Sequence, residues 1–147
     1  MKHIAILYIV VLMALLSGCR TNPAAADQTV PFTVAKNYFV NNSPGVLPDT
    51  VITDQARFQE MFGMATTMGP EGKPTSIDFT REFVIAVAPP ETNIATTLQA
   101  TGLHRENGKL VLSVRINQGQ PQTFTMRPLL LVVVDRAHLA PVRIKVE

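Results

Sequence analysis

The chain has 147 residues, with 13 Lys and Arg against 11 Asp and Glu, one Cys and no Trp. So balanced a charge argues against a basic nucleic-acid surface or a polybasic membrane patch, and one thiol excludes an intrachain disulfide framework. The length suffices for one domain with a substantial hydrophobic core.

Lys2 and His3 form a short basic head, Ile4 to Leu16 an apolar segment, and Ser17-Gly18 a small-residue exit, which together predict a secretory signal. As a helix the apolar segment spans only about 20 Å, too short for a hydrocarbon core of about 30 Å, so a permanent transmembrane helix is not expected. Leu16-Ser17-Gly18-Cys19 resembles the lipobox of bacterial lipoproteins. The resemblance implies a signal peptide over residues 1–18, lipid on the Cys19 thiol, cleavage before Cys19 and acylation of the new amino group. Two or three acyl chains hold a protein stably where one holds marginally. The competing reading is an ordinary secreted protein with one free thiol. With the thiol consumed, the only expected cofactor is the covalent lipid on Cys19, and no thiolate remains for a metal or a nucleophile.

Residues 19–29 are mostly small and polar and predict a lipidated tether. Arg20 stands where an aspartate resembles the inner-membrane retention signal of enteric bacteria. The expected location is therefore the bacterial cell envelope, lipid-anchored at the outer membrane.

The globular domain is expected over residues 30–147. Alternation from Phe32 to Asn41 predicts a first strand, closed by turn formers from Asn41 to Gly45. Thr53 as cap, Asp54 in the first turn, the stripe Phe58, Met61 and Phe62, and Gly63 as stop predict one helix. That Phe and Met stripe reads as core rather than a ligand groove. The stretch Met64 to Ser76 contains neither GxxxxGK[ST] nor GxGxxG and predicts a surface connection.

The runs Phe83 to Ala88 and Leu129 to Val134 are apolar at every position, as central strands covered on both faces require. Asp78, Arg81 and Glu82 read as a solvated strand entrance. Asn107-Gly108 predicts a type I′ hairpin with Glu106 opposite Lys109, His104 opposite Val111, Leu103 opposite Leu112 and Thr101 opposite Val114. Gln118 to Pro121 predicts a turn, Thr123 to Met126 a short strand, and the alternation Val142, Ile144, Val146 a half-buried last strand. The expected class is α+β and β-rich, with about seven mainly antiparallel strands as a curled sheet or small open barrel and one helix after the first strand.

Candidate chemistry is sparse. Outside the signal the histidines are His104 and His138, and Asp135 with His138 is an unspecific spacing. HExxH and GxSxG are absent. No catalytic or metal residues are expected, and an enzyme is not the first reading.

The order of helix, loop, Ile77-Asp78-Phe79, the Phe83 strand, the hairpin and the Leu129 strand is similar to the C-terminal domain of the PrcB family, an accessory lipoprotein subunit of a secreted protease. The similarity spans roughly Val51 to Val134. Where that family carries a Gly- and Thr-rich loop ending Gly-Tyr, this chain has Pro89, Pro90, Glu91, Thr92 and Asn93. The resemblance implies a non-catalytic, protease-associated accessory role, with an unknown envelope protein as partner and Pro89 to Asn93 as the contact segment. The alternatives are a hydrolase or small-ligand-binding lipoprotein using His104 or His138, and a purely structural envelope protein.

Overall fold

The structure is a computed structural model that describes residues 28–41, 50–66, 68, 69 and 71–147. The signal segment 1–18, Cys19, the tether as far as residue 27 and the turn formers 42–45 lie outside the described residues. Among the described residues the strands are β1 (Gln28–Thr29), β2 (Thr33–Ala35), β3 (Tyr38–Val40), β4 (Val51–Ile52), β5 (Phe62–Met64), β6 (Glu82–Val87), β7 (Thr92–Glu106), β8 (Lys109–Met126), β9 (Leu130–Asp135) and β10 (Val142–Val146), with one helix, α1 (Gln55–Met61), and a 3₁₀ turn, Arg136–His138.

The strands build two four-stranded sheets and a small ribbon. The outer sheet has the order β1-β7-β8-β10, parallel only between β8 and β10. The central sheet, β2-β9-β6-β4, is wholly antiparallel. The ribbon pairs β3 with β5. The fold is thus α+β and β-rich, and neither sheet closes into a barrel.

Side-chain alternation explains why the central strands read as unbroken apolar runs. Phe83 and Ile85 of β6 and Leu130, Val132 and Val134 of β9 face the outer sheet, meeting Leu103, Leu110, Leu112 and Val114. Val84, Ala86, Leu131 and Val133 face the other way, onto Phe58, Met61 and Phe62. Each large apolar side chain removed from water is worth about 1.5–3 kcal/mol, so two cores sharing one sheet account for a fold without disulfides. Phe58 is the hub of the second core, with ring centroids 5.2 Å from Tyr38, 5.0 Å from Phe62 and 5.4 Å from Phe79.

The pairing is nested about a single turn. Asn107 and Gly108 adopt φ of 49° and 77°, and partners run outward from Glu106↔Lys109 through Leu98↔Ile116 to Thr92↔Met126. Beyond a short gap they resume at Val87↔Leu130 and end at Glu82↔Asp135. The two sheet centres are therefore consecutive lengths of one long hairpin folded over on itself, bent between Ala88 and Asn93 on one strand and between Gln122 and Leu129 on the other. The outer path around a bend is longer, and the register shifts at Ile94/Thr96 and Thr92/Ile94 put the additional residues on β8.

Several expectations are corrected. The strand Phe32 to Asn41 is broken at Asn37, whose φ is 64°; β2 joins β9, whereas β3 turns away to β5. Asn tolerates the left-handed region, and its side-chain amide donates to the Glu71 and Lys73 carbonyls at 2.7 and 2.9 Å. The helix cap is Asp54, whose carboxylate accepts from the Arg57 N–H at 2.8 Å. Thr53 instead offers its carbonyl to Arg136 at 3.0 Å. Gly63 does not stop the helix but lies in β5, where a Cβ would stand 2.3 Å from the Phe39 ring. Gln118 to Pro121 is not a turn and Thr123 to Met126 not a separate strand, because β8 runs through both. Among the described residues β10 accompanies β8 only from Leu110 to Val114, so Pro121 sits on an edge where a missing N–H is tolerated. Ala100, not Thr101, faces Val114, with a register shift between Ala100 and Gly102. Ten strands rather than about seven are seen among the described residues, the surplus being very short, and three of them put α1 after β4.

Candidate functional site

Pro89, Pro90, Glu91, Thr92 and Asn93 lie at the bend of the folded hairpin. Pro90, Glu91 and Asn93 are exposed, and Thr92 and Asn93 open β7. The Thr92 hydroxyl accepts from the Ile94 N–H at 3.0 Å, and the Thr96 hydroxyl donates to the Ile94 carbonyl at 2.8 Å. Threonine side chains thus satisfy main-chain groups that the irregular ladder leaves over. Glu91 reaches Arg127 across the bend at 3.5 Å, tying the two paths together. Arg127 Nε and Gln122 Oε1 are buried there without a partner.

Next to the bend the paired hairpin carries no charge: neither Thr92 to Leu98 nor its partner stretch Ile116 to Met126 contains Asp, Glu, Lys, Arg or His, and the exposed Arg115 opposite Gln99 marks the end of the uncharged length. The ladder opens into a shallow cleft of about 480 Å³ lined by Ala95, Thr96, Gln118, Gln122 and Met126 among others. Phe124 is 58% exposed on this stretch. Sequence reasoning missed the continuity of this surface, because Gly119 and Pro121 read as a turn; the signal that finds it is the absence of charge on both strands.

The remaining candidates are engaged locally. The Asp135 carboxylate accepts from the Ala137 N–H at 2.7 Å and caps the 3₁₀ turn, while the His138 carbonyl accepts from Arg105 at 3.0 Å. His104 lies on β7 opposite Val111 and beside Thr29. Neither histidine lines the clefts described, and among the described residues no cluster of three or more His, Cys, Asp or Glu could hold a metal ion. Asp78 is exposed, accepting from the Thr80 hydroxyl at 2.6 Å and the Thr80 N–H at 3.0 Å. These bonds, the hydroxyl first, hold its carboxyl below the ordinary value. Glu82 accepts from the Asp78 N–H at 2.8 Å, so both carboxylates shape the turn into β6.

The largest cleft described, about 620 Å³, opens over the second core between Tyr38, Phe58, Phe62 and the irregular segment Lys73 to Ile77. That segment is strapped down: the Tyr38 hydroxyl donates to the Thr75 carbonyl at 2.7 Å, and the Lys36 N–H to the Thr75 hydroxyl at 2.9 Å. Phe58 and Phe62 are buried, so the stripe is core, as expected, and also forms the floor of this groove.

Among the described residues no helix is long and apolar enough to cross a membrane. Comparison with protein families, curated proteins and solved structures finds no match.

Proposed function

We propose that this chain is a non-catalytic lipoprotein of the bacterial cell envelope, held at the outer membrane through Cys19, that binds another protein as an accessory module. The observation that carries the binding role is the uncharged surface beside the hairpin bend, Thr92 to Leu98 of β7 with Ile116 to Met126 of β8, which adjoins Pro89 to Asn93 and its Glu91–Arg127 pair. Natural sheets protect exposed strands with charge, and this stretch has none. The lipobox-like Leu16 to Cys19 supports the anchor, and the PrcB-like order of elements supports a protease as the partner to try first.

Proximity crosslinking in the intact envelope tests the role. It should recover one reproducible partner from the native chain and lose it when Pro89 to Asn93 is replaced by Gly and Ser; no specific partner, or no loss on replacement, sinks the reading. Cys19→Ser should abolish fatty-acid labelling, and labelling that survives removes the anchor.

A further inference from the structure

The main-chain direction along β8 is fixed by two hydrogen bonds. The Leu110 N–H donates to the Pro141 carbonyl at 2.9 Å and the Glu147 N–H to the Val114 carbonyl at 3.0 Å, so Leu110 and Val114 turn their main-chain groups towards β10. Alternate residues of a strand share a direction, and the pairing with β7 is regular from Val114 to Gln118. Ile116 and Gln118 therefore present their N–H and C=O on that same side, where among the described residues nothing pairs with β8 beyond Val114. Gln118 is exposed, and from Ile116 to Met126 no charge guards the edge.

We infer that this edge accepts an extended, uncharged segment of another polypeptide, added as a strand beside Ile116 to Gln120 in line with β10. The inference rests on the protein-binding reading and names how the partner is held: main-chain hydrogen bonds supply the attraction, and neighbouring side chains the preference. Arg115 and Glu147 border the near end of this edge, and beyond them the uncharged Asn117 to Gln120 select the segment, because a charged side chain docked there loses water without gaining a counter-ion. A second copy of this chain fits poorly. Antiparallel pairing of two β8 edges through Ile116 and Gln118 sets β10 of one copy against the other's β8 from about Gln120 onwards, where both cannot lie.

The test uses the full chain in cells with a photo-crosslinking phenylalanine analogue at Gln120. Gln118→Pro removes the outward N–H and leaves the ladder to β7 intact, whereas Gln118→Ala removes only the side chain. Strand addition predicts unchanged crosslinking for Gln118→Ala and about a tenfold loss for Gln118→Pro, the effect of one orphaned main-chain bond. Circular dichroism confirms that both variants are folded. Equal yields from the two variants overturn strand addition and leave the binding role standing. A product at twice the chain mass, or a crosslinked peptide rich in charge, overturns the proposed occupant. No product at all overturns the binding role itself.

Discussion

Asp78 shows how little of a side chain's work is visible in its identity. In sequence it is a carboxylate beside Arg81 and Glu82; in the fold it accepts two bonds from Thr80 and anchors the turn into β6. Its folded-state pKa lies below the ordinary value of 3.8. Its contribution to stability is therefore complete above that value and is lost as the pH falls through the lowered one. Thr80→Val removes the larger cause, so the Asp78 titration should move up towards 3.8 and the acid dependence of stability should weaken below that pH. Carboxyl NMR titration of both chains checks this, and an unmoved titration means the hydroxyl is not the cause. Arg136 works in a similar way. Its guanidinium donates to the Phe79 carbonyl and, at 3.0 Å, to the Thr53 carbonyl, joining the approaches to β6 and α1. Loss of such charge-assisted bonds in Arg136→Ala should cost about 1.5–3 kcal/mol in urea unfolding.

At the scale of elements, the β3 and β5 ribbon depends on a glycine covered by an aromatic ring. Phe39 pairs with Gly63, and the ring occupies the place of a Cβ. Gly63→Ala should destabilise by about 0.5–1.5 kcal/mol, because the half-exposed Phe39 ring must leave its rotamer to clear the added methyl. In the Phe39→Leu background the penalty should shrink, a coupling that a double-mutant cycle reads directly; equal penalties in both backgrounds would place the strain elsewhere. The elements that were legible in the sequence are those specified locally. Asn107-Gly108 carries its own turn geometry, and the runs from Phe83 and Leu129 carry their own period. Those misread depend on distant partners. Asn37 breaks a strand with carbonyls of Glu71 and Lys73, and Pro121 is accepted in β8 because β10, far along the chain, does not reach it. Neither relation has a local pattern. The same holds for the candidate surface: Pro89 to Asn93 could be singled out by composition, but its continuity with Ile116 to Met126 exists only once β7 and β8 are paired.

At the scale of the whole molecule, the central sheet separates two cores whose side chains come from the same strands. Ile85 points into the first and Ile52 into the second, both fully buried. Each Ile→Val substitution should cost about 0.5–1.5 kcal/mol. Although β4 and β6 are adjacent, the double variant should equal the sum within about 0.5 kcal/mol, since the deleted methyl groups lie on opposite faces. Guanidinium unfolding measures all three, and a larger coupling means that the layers repack together.

The folded hairpin also has a consequence in time. Glu82 and Asp135 are far apart in sequence, yet every pair between them and Asn107-Gly108 is nested inside the next. Once the turn has closed, each further pair joins ends already brought near by its predecessor, and only a small loop entropy is lost at each step. The centres of both sheets can therefore form by zippering from one point. The slow events are left to the flanks, where β2 must find β9 and β10 must find β8.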